Sequence, residues 1–150
     1  MEPEHADLIE HLKVAPVWLR SALSSAEARA TGSGEWGASD IIVHVRAADA
    51  ILSTRVFQIL IREGAPLPAF DERPWGALPV AAAIPLDQQV AEFSLRRAEL
   101  VAVLRSLTAE QWLIAGQHEL TGRLTVADAC RKIADHEAEH RAQLEGIVRP

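Results

Sequence analysis

The segment Val126-Ala127-Asp128-Ala129-Cys130-Arg131-Lys132-Ile133-Ala134-Asp135-His136-Glu137-Ala138-Glu139-His140-Arg141-Ala142-Gln143-Leu144-Glu145-Gly146-Ile147 reads as an amphipathic helix. Its inward stripe runs Val126, Ala129, Ile133, His136, His140, Leu144 and Ile147, the three-and-four spacing of a helix face. Two imidazoles therefore stand at core positions one turn apart. Thr125 is placed to cap this helix, with Asp128 in the box position, and the pattern continues to about Val148.

Working outward, three more stretches share that periodicity, and no stretch of useful length alternates as a strand would. The first runs from about Glu4 to Ala30, with Leu8, Leu12, Ala15, Leu19 and Leu23 on one stripe. Pro16 lies inside it and predicts a kink or a restart. Gly32 and Gly34 end it. The second opens at Ser39-Asp40, either able to cap, and reaches about Glu63, with Ile41, Val45, Ala48, Leu52, Val56 and Ile59 facing inward. Gly64 occupies the place of a C-terminal cap. The third runs from about Leu86 to Leu107, with Leu86, Val90, Phe93, Leu100, Leu104 and Leu107 as its stripe. Thr108-Ala109-Glu110-Gln111-Trp112 reads as a short capped turn, and Gly116 to Gly122 as a loop before the last helix. Between the second and third helices lie Pro66, Pro68, Pro74, Pro79 and Pro85, in a connection too long for a simple turn. It reads as a crossover, with Phe70-Asp71-Glu72-Arg73-Pro74-Trp75 as a candidate pocket lining. The expectation is an all-α fold: one four-helix-bundle domain over residues 1–150, with a long crossover between helices 2 and 3.

Composition narrows the function classes. With 150 residues, 49% of them apolar and 24% charged, the chain has the balance of a single globular domain. Cys130 is its one cysteine, which excludes an internal disulfide framework and a cysteine-rich zinc site. A formal charge of −6 without a basic run argues against a nucleic-acid partner. The longest charge-free stretch, Pro74 to Leu86, is short and broken by prolines, so no membrane span is expected. The acidic start Met1-Glu2-Pro3-Glu4 lacks the order of a signal peptide, and a cytoplasmic location is expected.

Six histidines stand out against that background. His136 and His140 are four apart, and residues so spaced have Cβ atoms about 5–6 Å from each other, close enough to share an ion. A single core histidine is usually just satisfied by packing and hydrogen bonds. Two on one stripe leave several ring nitrogens to satisfy in a dry place. His44 lies three residues after Ile41 and four before Ala48, on or beside the inward stripe of the second helix. Three neutral nitrogens from two helices would hold a divalent ion and leave a coordination position open, the mark of catalytic rather than closed structural sites. Imidazole suits zinc, nickel, iron and copper about equally, so the donors do not name the metal; the expectation is a divalent ion, zinc or nickel first, with iron admissible. The run His136-Glu137-Ala138-Glu139-His140 also satisfies the H-E-x-x-H pattern of zinc proteases, with Glu137 as the base. Only ten residues follow His140, with Gln143 and Gly146 where a metzincin needs Gly and His, so a protease is rejected.

Two segments resemble a known family. Trp36-Gly37-Ala38-Ser39-Asp40-Ile41-Ile42-Val43-His44-Val45 is similar to the tryptophan-then-histidine start of the second helix in the DinB/YfiT-like superfamily of four-helix-bundle metalloenzymes. Ala134 to Leu144 is similar to its paired-histidine last helix, and helix order and the proline-rich crossover extend the likeness over nearly the whole chain. The resemblance implies a metal held by His44, His136 and His140, and commonly a homodimer. It also implies thiol-dependent transferases among its members, using mycothiol or bacillithiol as cosubstrate. Some relatives replace one histidine by glutamate; this chain does not. The expected function is thus a metal-dependent enzyme that activates a low-molecular-weight thiol, or water, for transfer to a small electrophile. The alternative is a non-catalytic, dimeric metal- or ligand-binding module.

The remaining polar residues divide between site and scaffold. Arg97, between Phe93 and Leu100 on the third stripe, and Glu137 are the catalytic candidates. The favoured reading of Arg97 alone is a side chain carrying its stem over the core edge to solvent. Asp40 reads as a helix cap rather than a partner that orients His44. His5 is a candidate extra ligand or proton donor, while His11 and His118 read as surface or loop residues. Cys130 reads as a small buried hydrophobe, so any reacting thiol comes with a cosubstrate. Trp18, Trp36, Trp75 and Trp112 read as packing or dimer contacts.

Overall fold

Apolar residues at helical spacing produce four long helices, and their caps and crossover decide how these pack. The computed structural model describes residues 2–26, 36–71 and 83–148. Helix α1 spans Pro3–Ala26, α2 Ala38–Ile61, α3 Leu86–Ser106 and α5 Val126–Val148; α4, Ala109–Trp112, is a single turn. Around the bundle each of α1 and α2 packs against both α3 and α5, and α1 meets α2 across the diagonal. The C-terminal halves of α1 and α5 (Ala15, Leu19, Leu144) share one core cluster with the N-terminal halves of α2 and α3 (Ile41, Val45, Val90, Phe93). Helices α2 and α3 are therefore parallel neighbours, which no short turn can join. The proline-rich crossover follows from that geometry.

The helix ends confirm most of the capping chemistry. Thr108 and Gln111 form a reciprocal box on α4. Thr125 and Asp128 do the same on α5. Helix α2 begins earlier than Ser39-Asp40 suggested: Gly37 is the cap, and Asp40, inside the first turn, accepts the Gly37 N–H at 2.8 Å. Helix α1 runs through Pro16 without interruption, so the expected restart is absent. A proline there has no N–H for the Leu12 carbonyl. That carbonyl is taken instead by Arg97 Nη1 at 2.9 Å. The expected helix end at Ala30, Gly32 and Gly34 lies outside the described residues, as do Glu72 to Trp75.

One feature was not anticipated. A small sheet closes one pole of the bundle, with β1 (Pro66–Leu67) parallel to β2 (Ala115–His118) and β2 antiparallel to β3 (Gly122–Thr125). The residues read as a loop are therefore a hairpin. Strands of two and four residues are too short for alternation to register. Gly64 turns the chain into β1 at φ +74° and donates to the Ala115 carbonyl. A Cβ at Gly116 would lie 2.9 Å from the Ala65 carbonyl oxygen as well as 2.7 Å from Leu67 Cδ1, so glycine lets the backbones of β1 and β2 approach.

The core is in two parts. One, beneath the sheet, gathers Ile9, Leu12, Val56, Ile59, Leu100, Leu104, Trp112 and the start of α5. The other, at the opposite pole, gathers Leu19, Ile41, Ile42, Val45, Phe93 and Leu144. Between them lies a buried polar layer of Asp49, Ser53, Arg97 and Glu137.

Candidate metal centre

The histidine site is built from the N-terminal part of α2 and the middle of α5. His44 projects from α2, His136 and His140 from α5, and one ligand atom from each lies within 4.8 Å of the other two. His136 Nε2 approaches both His44 Nε2 and His140 Nε2 at 3.1 Å. His44 and His140 are buried and His136 is partly exposed. Trp36, half exposed at 50%, packs against them, its ring centroid 4.9 Å from that of His44 and 6.4 Å from that of His140.

The donor chemistry suits a cation. Gln143 Oε1 lies 2.9 Å from His140 Nδ1; with the amide oxygen accepting, that ring nitrogen carries the proton and Nε2 presents a lone pair. A neutral His136 Nε2 can donate at most one proton, so three converging Nε2 atoms cannot all satisfy one another. Nitrogen–metal bonds of about 2.0–2.1 Å at tetrahedral angles put ligand atoms roughly 3.3 Å apart, close to the two 3.1 Å approaches. Among the described residues these three form the one group of histidine, cysteine or carboxylate side chains placed to share an ion.

Arg97 and Glu137 lie in the bundle core beside the triad, Glu137 next to His136 in sequence. Both are buried, and Arg97 forks onto Glu137, with Nη1 to Oε2 at 3.0 Å and Nη2 to Oε1. Nη2 also donates to Asp49 Oδ1 at 2.7 Å, and the Asp49 carboxylate accepts from Ser53 at 2.7 Å and Arg96 at 3.1 Å. The expected excursion of Arg97 toward solvent does not occur, because carboxylates on two neighbouring helices meet it inside; its guanidinium also lies 4.8 Å over the Phe93 ring. Burial alone would lower the Arg97 pKa, but the Glu137 and Asp49 carboxylates outweigh it and hold the guanidinium protonated. For Glu137, burial raises the carboxyl and Arg97 pulls it back, leaving it above the usual range.

The other sequence candidates fall elsewhere. His5 is at the sheet pole, stacked on Trp112 with centroids 4.2 Å apart, so it is neither a ligand nor a proton donor to the triad. His118 sits in the hairpin, its Nδ1 accepting from the Leu120 and Thr121 amides at 3.3 Å each, and His11 is exposed on α1. Asp40 is the cap contact already described. Cys130 is fully buried, and desolvation pushes its thiol up to about 12, as an inert core residue requires. Trp112 is core; Trp36 is part of the site rather than mere packing.

Three contributors were not assigned from sequence. Gln143 stands three residues past a ligand, where a helical neighbour reaches the ring, and that spacing was the available signal. Asp49 lies four after Val45 and four before Ser53, so a charged residue on the inward stripe was the signal there. Trp36 precedes α2 and has no periodicity to place it.

Comparison with known proteins agrees with this architecture. The structure aligns with YfiT from Bacillus subtilis, described as "a probable metal-dependent hydrolase with an unusual four-helix bundle topology". The TM-score is 0.84 at 20% identity, covering 98% of this chain and 87% of that one; at this identity the likeness concerns the fold. In sequence, the chain is 25% identical over 112 residues to a protein of Oceanobacillus iheyensis named "Putative metal-dependent hydrolase". That alignment takes in 75% of this chain and 64% of the relative's length. No described helix is long and apolar enough to cross a membrane. The model of the DinB superfamily matches residues 17–144, spanning all four long helices, and the chain belongs to that superfamily.

Proposed function

We propose that the protein is a metal-dependent enzyme in which His44, His136 and His140 hold a divalent ion through their Nε2 atoms. The observation that carries this reading is the convergence of three imidazole nitrogens from two helices on one point. When bound, an ion with three neutral ligands keeps its full charge and lowers the pKa of a coordinated water or thiol. The chain's own residues supply the rest. Gln143 holds the His140 tautomer that leaves Nε2 free to ligate. The half-exposed Trp36 gives the approach to the triad an apolar wall. Glu137, with both oxygens committed to Arg97, stays in the scaffold, so no side-chain base takes part in the scheme.

The nucleophile is water in a hydrolytic reaction, which the names of the relatives support, or a low-molecular-weight thiol in a transfer reaction, which the family resemblance supports; the acceptor is a small electrophile. Cys130, buried with a raised thiol pKa, is not the thiol in this scheme. A homodimer accompanies the reading on the same resemblance.

Elemental analysis of purified protein, followed by assays of small esters and amides and of thiol conjugation to model electrophiles, tests the reading. Wild type is expected to hold one divalent ion per chain and His136→Ala to lose it. Turnover in either assay should vanish in His44→Ala. A wild type that neither contains nor takes up a stoichiometric ion overturns the proposal.

A further inference from the structure

The polar layer beside the triad joins all four long helices at one depth. On each helix the two core clusters meet there: α1 at Leu12 and Ala15, α2 around Asp49, α3 at Arg97, α5 at Glu137. Arg97 stands on α3, which carries no histidine of the triad, yet its two carboxylate partners are on the two helices that do. Asp49 follows His44 on α2, and Glu137 directly follows His136 on α5. The remaining Nη1 contact, to the Leu12 carbonyl, uses an acceptor that Pro16 leaves without its helical donor. One guanidinium thus anchors α1, α2 and α5 together.

Such a layer is a poor choice for stability alone. Two carboxylates and a guanidinium taken out of water carry a heavy desolvation cost before they recover anything from one another, and a well-packed apolar layer is often as stable or more so. A bidentate fork does what an apolar layer does not: it has one register and one orientation.

We infer that Arg97 is a positioning residue for the histidine centre, tying α2 to α5 through Asp49 and Glu137 and so setting the separation of His44 from His136. This inference rests on the metal reading for its purpose but not for its geometry.

The test compares the full-length wild type with an apolar-layer variant, Asp49→Leu/Arg97→Met/Glu137→Leu, and with Arg97→Lys, which keeps the charge and loses the fork. Circular dichroism reports folding, calorimetry the zinc affinity, and NMR of the metal-free protein the inter-ring contact of His44 with His136, whose centroids lie 5.1 Å apart. The expected result is retained helix content, loss of the inter-ring contact, and zinc binding weaker by at least about tenfold, as when a ligand loses its supporting contacts. Should the triple variant fail to fold, Arg97→Lys decides by the same two readouts. A folded variant that keeps the contact and binds zinc within twofold of wild type overturns the inference. If wild type binds no zinc, the metal reading falls, and the inter-ring contact alone supports the clamp by its loss or overturns it by its persistence.

Discussion

At the scale of the residue, the centre depends on one side chain that is not a ligand. Gln143 accepts from His140 Nδ1 at 2.9 Å and thereby fixes both the tautomer and the ring orientation. Gln143→Ala frees the ring to rotate, and zinc affinity is expected to fall about tenfold or more while the helix stays folded. Titration calorimetry on the variant checks this; an unchanged affinity would show that packing alone orients His140. The three histidines themselves were legible in sequence because they interrupt two apolar stripes at helical spacing. Gln143 was not, because an exposed glutamine on a helix normally has water for company, and its partner is visible only once the ring has a direction.

At the scale of the element, α5 carries two of the three histidines of the triad, and its first turn is held by a reciprocal cap. The Thr125 amide donates to Asp128 Oδ2 at 3.0 Å and the hydroxyl at 2.6 Å, while the Asp128 amide returns to Thr125 Oγ1 at 3.0 Å. The Thr125 hydroxyl, first among several contacts, holds the Asp128 carboxyl below its ordinary value of 3.8. The folded state therefore favours the ionised form. Its contribution is complete above that ordinary value and is lost as pH falls through the lowered folded one. Asp128→Asn is expected to flatten the acid limb of a urea-stability profile, and Thr125→Ala to cost about 1 kcal/mol at neutral pH. A profile in Asp128→Asn that overlays wild type would rule this out. This cap was readable from Thr125 and Asp128 alone, since a cap is a contact within one turn. The hairpin just before it was not: β2 and β3 are four residues each, and the other side of β2 pairs with β1, about fifty residues earlier in the chain.

At the scale of the whole molecule, an ion held by the proposed triad would tie α2 to α5, so its binding would report on global stability. Zinc at one hundred times its dissociation constant is expected to add about 2.7 kcal/mol to unfolding. Thermal scans with zinc and with chelator should differ in wild type and coincide in His44→Ala; coincidence in wild type would mean that no ion binds the folded state. The amino-acid sequence by itself determined the four helices, the caps of α4 and α5, the apolar stripes the helices bury and the identity of the three histidines. Each of these follows from periodicity or from contacts within a turn. Only the tertiary structure decided that α2 and α3 run parallel, that a small sheet closes one pole, that His5 belongs to that pole, and that Arg97, read as reaching for solvent, lies between Asp49 and Glu137. The physical reason is the same in each case. A buried charge is tolerable only when partners from other helices meet it, and sequence spacing carries no record of which helices will be neighbours.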